Sequence, residues 1–153
     1  MTRVFNQRSH YQIQKKTLLS KTQGIRFMKA KNHYYNYLGN EDKMQNELMN
    51  YIDLKYPNAI VTHIPNEGKR TPFEQYKIKM LGTKPGVPDV MIFTPSAQYN
   101  GFALELKSGY NKPTENQKKW LSKLKDCGWY ATWSKDLDDC KTKIDNYFSD
   151  ALE

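Results

Sequence analysis

Three ionisable residues in the middle of the chain stand where charge is costly. Asp89 directly follows a Gly86-Val87-Pro88 turn and leads into the run VMIF, and Glu105 and Lys107 interrupt a second apolar run, GFALELK. A carboxylate or ammonium withdrawn from water is unfavourable unless it is paired or holds a metal. Side chains alternate across a strand, so Phe102, Leu104 and Leu106 share one face, and Ala103, Glu105 and Lys107 share the other. Glu105 and Lys107 then lie ~7 Å apart along that face. The loop between the two runs is short, and pairing them lets Asp89 and Glu105 converge. Two carboxylates on one hard cation suit Mg²⁺. A lysine beside that cation can orient a water or offset charge on a phosphoryl transition state. The plainer alternative is an ion pair in which Lys107 only neutralises Glu105.

The elements around these residues follow from periodicity and punctuation. NEDKMQNELMNYIDLKY predicts a helix, with Asn40 as its cap, Glu41 and Asp42 in the first turn, and Met44, Leu48, Tyr51 and Ile52 as its apolar stripe. AIVTHI, residues 59–64, is strand-like, with His63 on the face of Val61 as a core histidine. PFEQYKIKMLG reads as a short helix carrying Phe73, Tyr76, Ile78, Met80 and Leu81 and stopped by Gly82. The strands DVMIF and GFALELK come next. PTENQKKWLSKLKDCG is a helix capped by Thr114, with Gln117 three residues on and Gly128 at its end. WYATW is a strand, and DLDDCKTKIDNYFSDAL is a helix with Leu137, Cys140, Ile144, Tyr147 and Phe148 at helical spacing. The order predicts an α/β fold, a mixed sheet flanked by helices. Cys127 and Cys140 fall on apolar helical positions and read as small core residues of a reducing compartment, without a disulfide.

GVPD, then ELK, then the glutamine of PTENQKKWL resemble the PD-(D/E)XK nuclease superfamily, and more narrowly the virus-type replication-repair nuclease family, VRR-NUC. The likeness covers roughly residues 41–148. It implies a restriction-endonuclease-like αβββαβ core and a phosphodiesterase acting on DNA with Mg²⁺, or Mn²⁺ in its place. Asp89 and Glu105 would be metal ligands, the Leu106 carbonyl a third, and Lys107 the catalytic lysine. Small stand-alone members resemble Holliday junction resolvases, which implies branched DNA as substrate and a homodimer whose symmetry suits paired cuts. A phage or mobile-element origin, and hence the cytoplasm of a bacterial host, also fits the family.

The superfamily usually adds a carboxylate from the first helix. At 100° per residue with Met44 at zero, the apolar stripe spans about −20° to 80°. Glu41 falls near 60°, inside the stripe, and Glu47 near −60°, outside it. Glu41 is therefore preferred, against the alternative that it only complements the helix dipole. Gln117 has two readings as well. It completes a T-x-x-Q capping box, and it shares a face with Trp120, Leu121 and Leu124, from which its amide could hold a phosphate or a water.

The 153 residues are 38% hydrophobic, enough for one compact domain, read as a nuclease domain over residues 41–153 with an N-terminal arm over residues 1–40. The net charge is +8. Arg3, Arg8, Lys15, Lys16, Lys21, Arg26, Lys29 and Lys31 fall in the arm with no acid among them, so the excess lies there. Interleaved with Tyr11, Phe27, Tyr34, Tyr35 and Tyr37, these cations suit a phosphate backbone and exposed bases; a solvated extension is the alternative. Lys15, Lys16, Arg26, Lys69, Arg70 and Lys84 are the candidate DNA contacts. The lysines following Gln117 read as a wet helix face. No run of eighteen apolar residues marks a membrane span, the N-terminus has no secretory apolar core, and no Cys/His cluster has zinc spacing. The function expected is a structure-selective DNA endonuclease. The alternative is a non-catalytic nucleic-acid-binding module with the same fold.

Overall fold

The computed structural model describes residues 33–65 and 70–149. The chain divides into two compact units, residues 1–57 and 58–153. In the first, a 3₁₀ turn, His33–Tyr37, precedes helix α1, Asn40–Lys55. Gly39, not Asn40, occupies the cap position. The Asp42 carboxylate reaches back to accept from the Gly39 N–H at 3.1 Å, the reciprocal half of a capping box, while glycine offers no side chain to accept from the first helical N–H groups. Leu48 and Ile52 of the expected stripe are buried.

The second unit holds the sheet. Its elements are β1 (Val61–His63), α2 (Pro72–Met80), β2 (Val90–Ile92), β3 (Phe102–Leu106), α3 (Glu115–Asp126), β4 (Tyr130–Ser134) and α4 (Leu137–Ser149). Strand order is β1-β2-β3-β4. The first two pairings are antiparallel and the last, β3 with β4, is parallel, as it must be when a crossover helix, α3, joins them. With α1, this is the expected αβββαβ order, with α2 inserted after β1 and α4 appended. The strands are shorter than the apolar runs, yet hydrogen bonds continue past their ends, from Phe93 N to Ile60 O at 2.7 Å and from Ile64 N to Asp89 O at 2.9 Å.

Both faces of β3 are covered, and every residue from Phe102 to Leu106 is buried. On one face Met91, Ala103 and Ala131 pack with Leu121 of α3. On the other, Phe102 stacks on Tyr130 and meets Tyr147 of α4, both with ring centroids 5.3 Å apart. A fully covered central strand reads as continuous apolar residues, which is why Glu105 and Lys107 stand out within it.

Two residues, His63 and Cys127, differ from the sequence reading. His63 is exposed, with its Nδ1 3.0 Å from the Asp89 carbonyl; β1 stands at the end of the strand order and buries none of its three residues. Cys127 is exposed while Cys140 is buried; the former lies at the C-cap of α3, past the helical turns whose spacing the reading used. Helix α2 buries none of its residues, and Phe73, Tyr76, Met80 and the following Leu81 are exposed.

Candidate active site

The register of β2 and β3 builds the site. Val90 pairs with Leu104, Met91 with Ala103 and Ile92 with Phe102. One step further brings Asp89 opposite Glu105, on the face shared by Met91 and Ala103, which is the face that α3 covers. Directly opposed residues have Cβ atoms about 5 Å apart. Asp89 Oδ2 accepts from the Leu106 N–H at 2.8 Å, which ties its carboxylate to the end of β3.

Glu105 has no exposed surface. Its Oε1 accepts from Lys107 Nζ at 2.7 Å and from Gln117 Nε2 in a short hydrogen bond. Its Oε2 is buried with no hydrogen-bond partner among the described residues. Burial pushes the Glu105 carboxyl up to about 8; the Lys107 hydrogen bond opposes this and the like charge of Asp89 adds to it. An orphaned buried carboxylate oxygen costs ~1–3 kcal/mol, and two opposed carboxylates repel. A divalent cation on Glu105 Oε2 and the Asp89 carboxylate relieves both, so these residues fit a hard cation. Among the described residues no group of three or more Asp, Glu, His or Cys forms a metal cluster, so the sheet contributes two carboxylates, with the Leu106 carbonyl next to them in sequence.

Gln117 is 8% exposed; it makes the expected cap, and its other end holds a carboxylate, a contact the sequence reading did not name. Its Oε1 accepts from Thr114 N at 2.7 Å, closing the capping box, while its Nε2 donates to Glu105. An amide has an acceptor at one end and donors at the other, so one side chain can cap a helix and hold a carboxylate.

The Gly-Val-Pro turn is positioned by contact as well as by conformation. Gly86 has φ +85°, and a Cβ there would stand 2.7 Å from the Asn116 backbone carbon and 2.9 Å from Gln117 N. Only glycine permits this approach of the loop to the start of α3. Pro88, which is fully buried, then delivers Asp89.

Glu41 is half-buried in the first turn of α1, in the other unit. Glu47 accepts from the Tyr35 hydroxyl at 3.2 Å. Arg70 donates to the Pro65 carbonyl at 2.9 Å, and Lys84 is exposed. Lys15, Lys16, Arg26 and Lys69 lie outside the described residues. The sequence reading passed over a juxtaposition of Lys84 and Pro85 with Trp120 and its neighbouring lysines; the indole–Pro85 hydrogen bond that makes it, 35 residues apart in the chain, has no local signal.

A search among curated proteins returns no match. A solved structure described as a VRR_NUC domain protein aligns with a TM-score of 0.60 at 26% identity, covering 73% of this chain and 90% of that one. The VRR-NUC domain model matches residues 29–133, a span that contains Asp89, Glu105, Lys107 and Gln117. With more than half its length matched, and its sheet, crossover helix and paired carboxylates in place, the chain belongs to the VRR-NUC nuclease family.

Proposed function

We propose that the protein is a Mg²⁺-dependent, structure-selective DNA endonuclease, with Mn²⁺ able to replace Mg²⁺, that hydrolyses phosphodiester bonds in branched DNA such as Holliday junctions. One observation carries this reading: a buried Glu105 whose Oε1 is held by Lys107 and Gln117 while its Oε2, across from Asp89, has no protein donor among the described residues. An ion-paired sheet with no further role would not leave that oxygen bare.

Asp89, Glu105 and the Leu106 carbonyl would hold the cation, with Glu41 proposed as the carboxylate from α1. The bound cation supplies positive charge that polarises the phosphodiester and eases deprotonation of water. Lys107 brings a second positive charge beside the phosphate, where negative charge grows in the transition state. Gln117 keeps Glu105 in one orientation. The water oxygen bonds to phosphorus, the bridging P–O bond breaks, and a proton ends on the leaving oxygen. A homodimer suits two symmetric cuts at a four-way junction. Lys15, Lys16, Arg26, Lys69, Arg70 and Lys84 are proposed phosphate contacts, and a bacterial cytoplasm, on a phage or mobile element, is the proposed setting.

The test digests a four-way junction, a flap, a splayed arm and a blunt duplex at one fixed salt concentration, because phosphate binding falls steeply with salt. Cleavage of branched substrates with Mg²⁺, lost in EDTA and in Asp89→Asn and Lys107→Ala, is expected. Binding without cutting in either Mg²⁺ or Mn²⁺ would leave a non-catalytic module and end the proposal.

A further inference from the structure

Between the loop that leads to Asp89 and the first turns of α3 is a cleft of about 400 Å³ lined by Lys84, Pro85, Asn116, Lys119, Trp120 and Lys123. Its lining holds three ammonium groups and no acid, and none of the three lysines is ion-paired among the described residues. Glu115, at the start of α3, is already occupied by Lys118 at 2.8 Å. Trp120 is half-buried, and its Nε1–H donates to the Pro85 carbonyl at 3.0 Å. The indole is thus fixed before any ligand arrives, which lowers the entropy cost of stacking on it.

We infer that this cleft takes one unpaired nucleotide of the DNA strand, its base against Trp120 and its flanking phosphates on Lys84, Lys119 and Lys123. Cations next to an aromatic face are what a single strand needs. A paired base inside a duplex has both faces covered by its neighbours, so only an unpaired or terminal nucleotide offers one to the indole. The placement relates the cleft to the carboxylate site. Trp120 follows Gln117, which holds Glu105, by three residues on α3, about one helical turn. The Gly86 contact with Asn116 binds the cleft wall to the loop that carries Asp89. The same helix and the same loop therefore carry both the cleft and the carboxylate site. The inference rests on the nuclease reading and names the feature of branched DNA that is selected, an unpaired nucleotide at the branch.

The experiment measures binding in EDTA, where cutting is absent, using fluorescence anisotropy on a short oligothymidine and on a blunt duplex. The variants are Trp120→Leu, Trp120→Phe and the double Lys119→Gln/Lys123→Gln, each checked for folding by circular dichroism. Loss of one stacked base predicts about 5- to 150-fold weaker oligothymidine binding for Trp120→Leu, with duplex binding little changed. Trp120→Phe, which keeps an aromatic face, should stay within a few-fold of wild type. The lysine pair should reduce the log–log salt slope on the oligonucleotide by about 1.4. A folded Trp120→Leu protein that binds oligothymidine as wild type does would overturn the inference, and so would equal losses on both DNAs or a Trp120→Phe protein as weak as Trp120→Leu. If Trp120→Leu does not fold, the lysine pair decides: an unchanged salt slope on the oligonucleotide overturns the inference. Cleavage with Mg²⁺ is read separately. A wild type that discriminates through Trp120 yet never cuts refutes the nuclease reading alone; one that cuts while ignoring Trp120 refutes the cleft alone.

Discussion

Gln117 offers a test whose sign, not only its size, separates two roles. As the third residue of a capping box it accepts from Thr114 N at 2.7 Å, and as a site residue it donates to the buried Glu105. Gln117→Ala removes both contacts. The capping part is worth ~1 kcal/mol, and a buried hydrogen bond to a carboxylate ~1.5–3 kcal/mol, so a total of about 2–4 kcal/mol is expected. For a chain of this length that lowers Tm by roughly 6–12 °C. Thr114→Ala loses the cap but keeps the Glu105 contact, and should cost only the ~1 kcal/mol. Gln117→Glu is the decisive variant. A glutamate at this position caps at least as well as glutamine and suits the helix dipole, so a purely capping role predicts no loss or a small gain. The site role predicts destabilisation, because a carboxylate oxygen replaces the donor facing the buried Glu105 Oε1. Urea unfolding of the three variants in EDTA provides the comparison. A Gln117→Glu protein as stable as wild type, with Gln117→Ala no worse than Thr114→Ala, would show that the Glu105 contact contributes nothing.

Other outcomes follow from the same geometry. Gly86→Ala imposes a side chain on a backbone at φ +85° and drives it into the Asn116 backbone at 2.7 Å; it should cost ~2–5 kcal/mol. Gly82→Ala, at φ +88° but in open space, should cost ~1–2 kcal/mol, and equal urea midpoints for the two would refute the contact. Glu105 is raised from 4.5 to about 8, so between these values the folded carboxyl holds a proton that the unfolded chain has released. In EDTA, stability is therefore fully present below 4.5 and falls as pH rises toward about 8, by up to ~1.4 kcal/mol per pH unit. Melting curves from pH 5 to pH 9 should show this fall in wild type, and Glu105→Gln should flatten it. Burial pushes the Cys140 thiol up to about 11 whereas Cys127 is exposed; native protein should label rapidly at Cys127 alone, and at Cys140 only after unfolding.

What the amino-acid sequence determined by itself was local. Alternation along GFALELK assigns Glu105 and Lys107 to one face, because successive side chains in any strand point oppositely. Thr114 and Gln117 announce a helix start, because capping depends on backbone groups within one turn. What lay beyond it was the identity of partners across space. The Glu105 contact with Gln117 exists because the crossover helix descends on the face that carries Met91, Ala103 and Ala131. The Trp120 cleft exists because Pro85, 35 residues earlier, accepts the indole N–H. His63 and Cys127 took exposed places for the same reason: periodicity tells which residues share a face, and only the packing of elements tells whether that face is covered. An edge place in the sheet and a place at a helix end do not show in spacing, since burial is decided by residues distant in the chain.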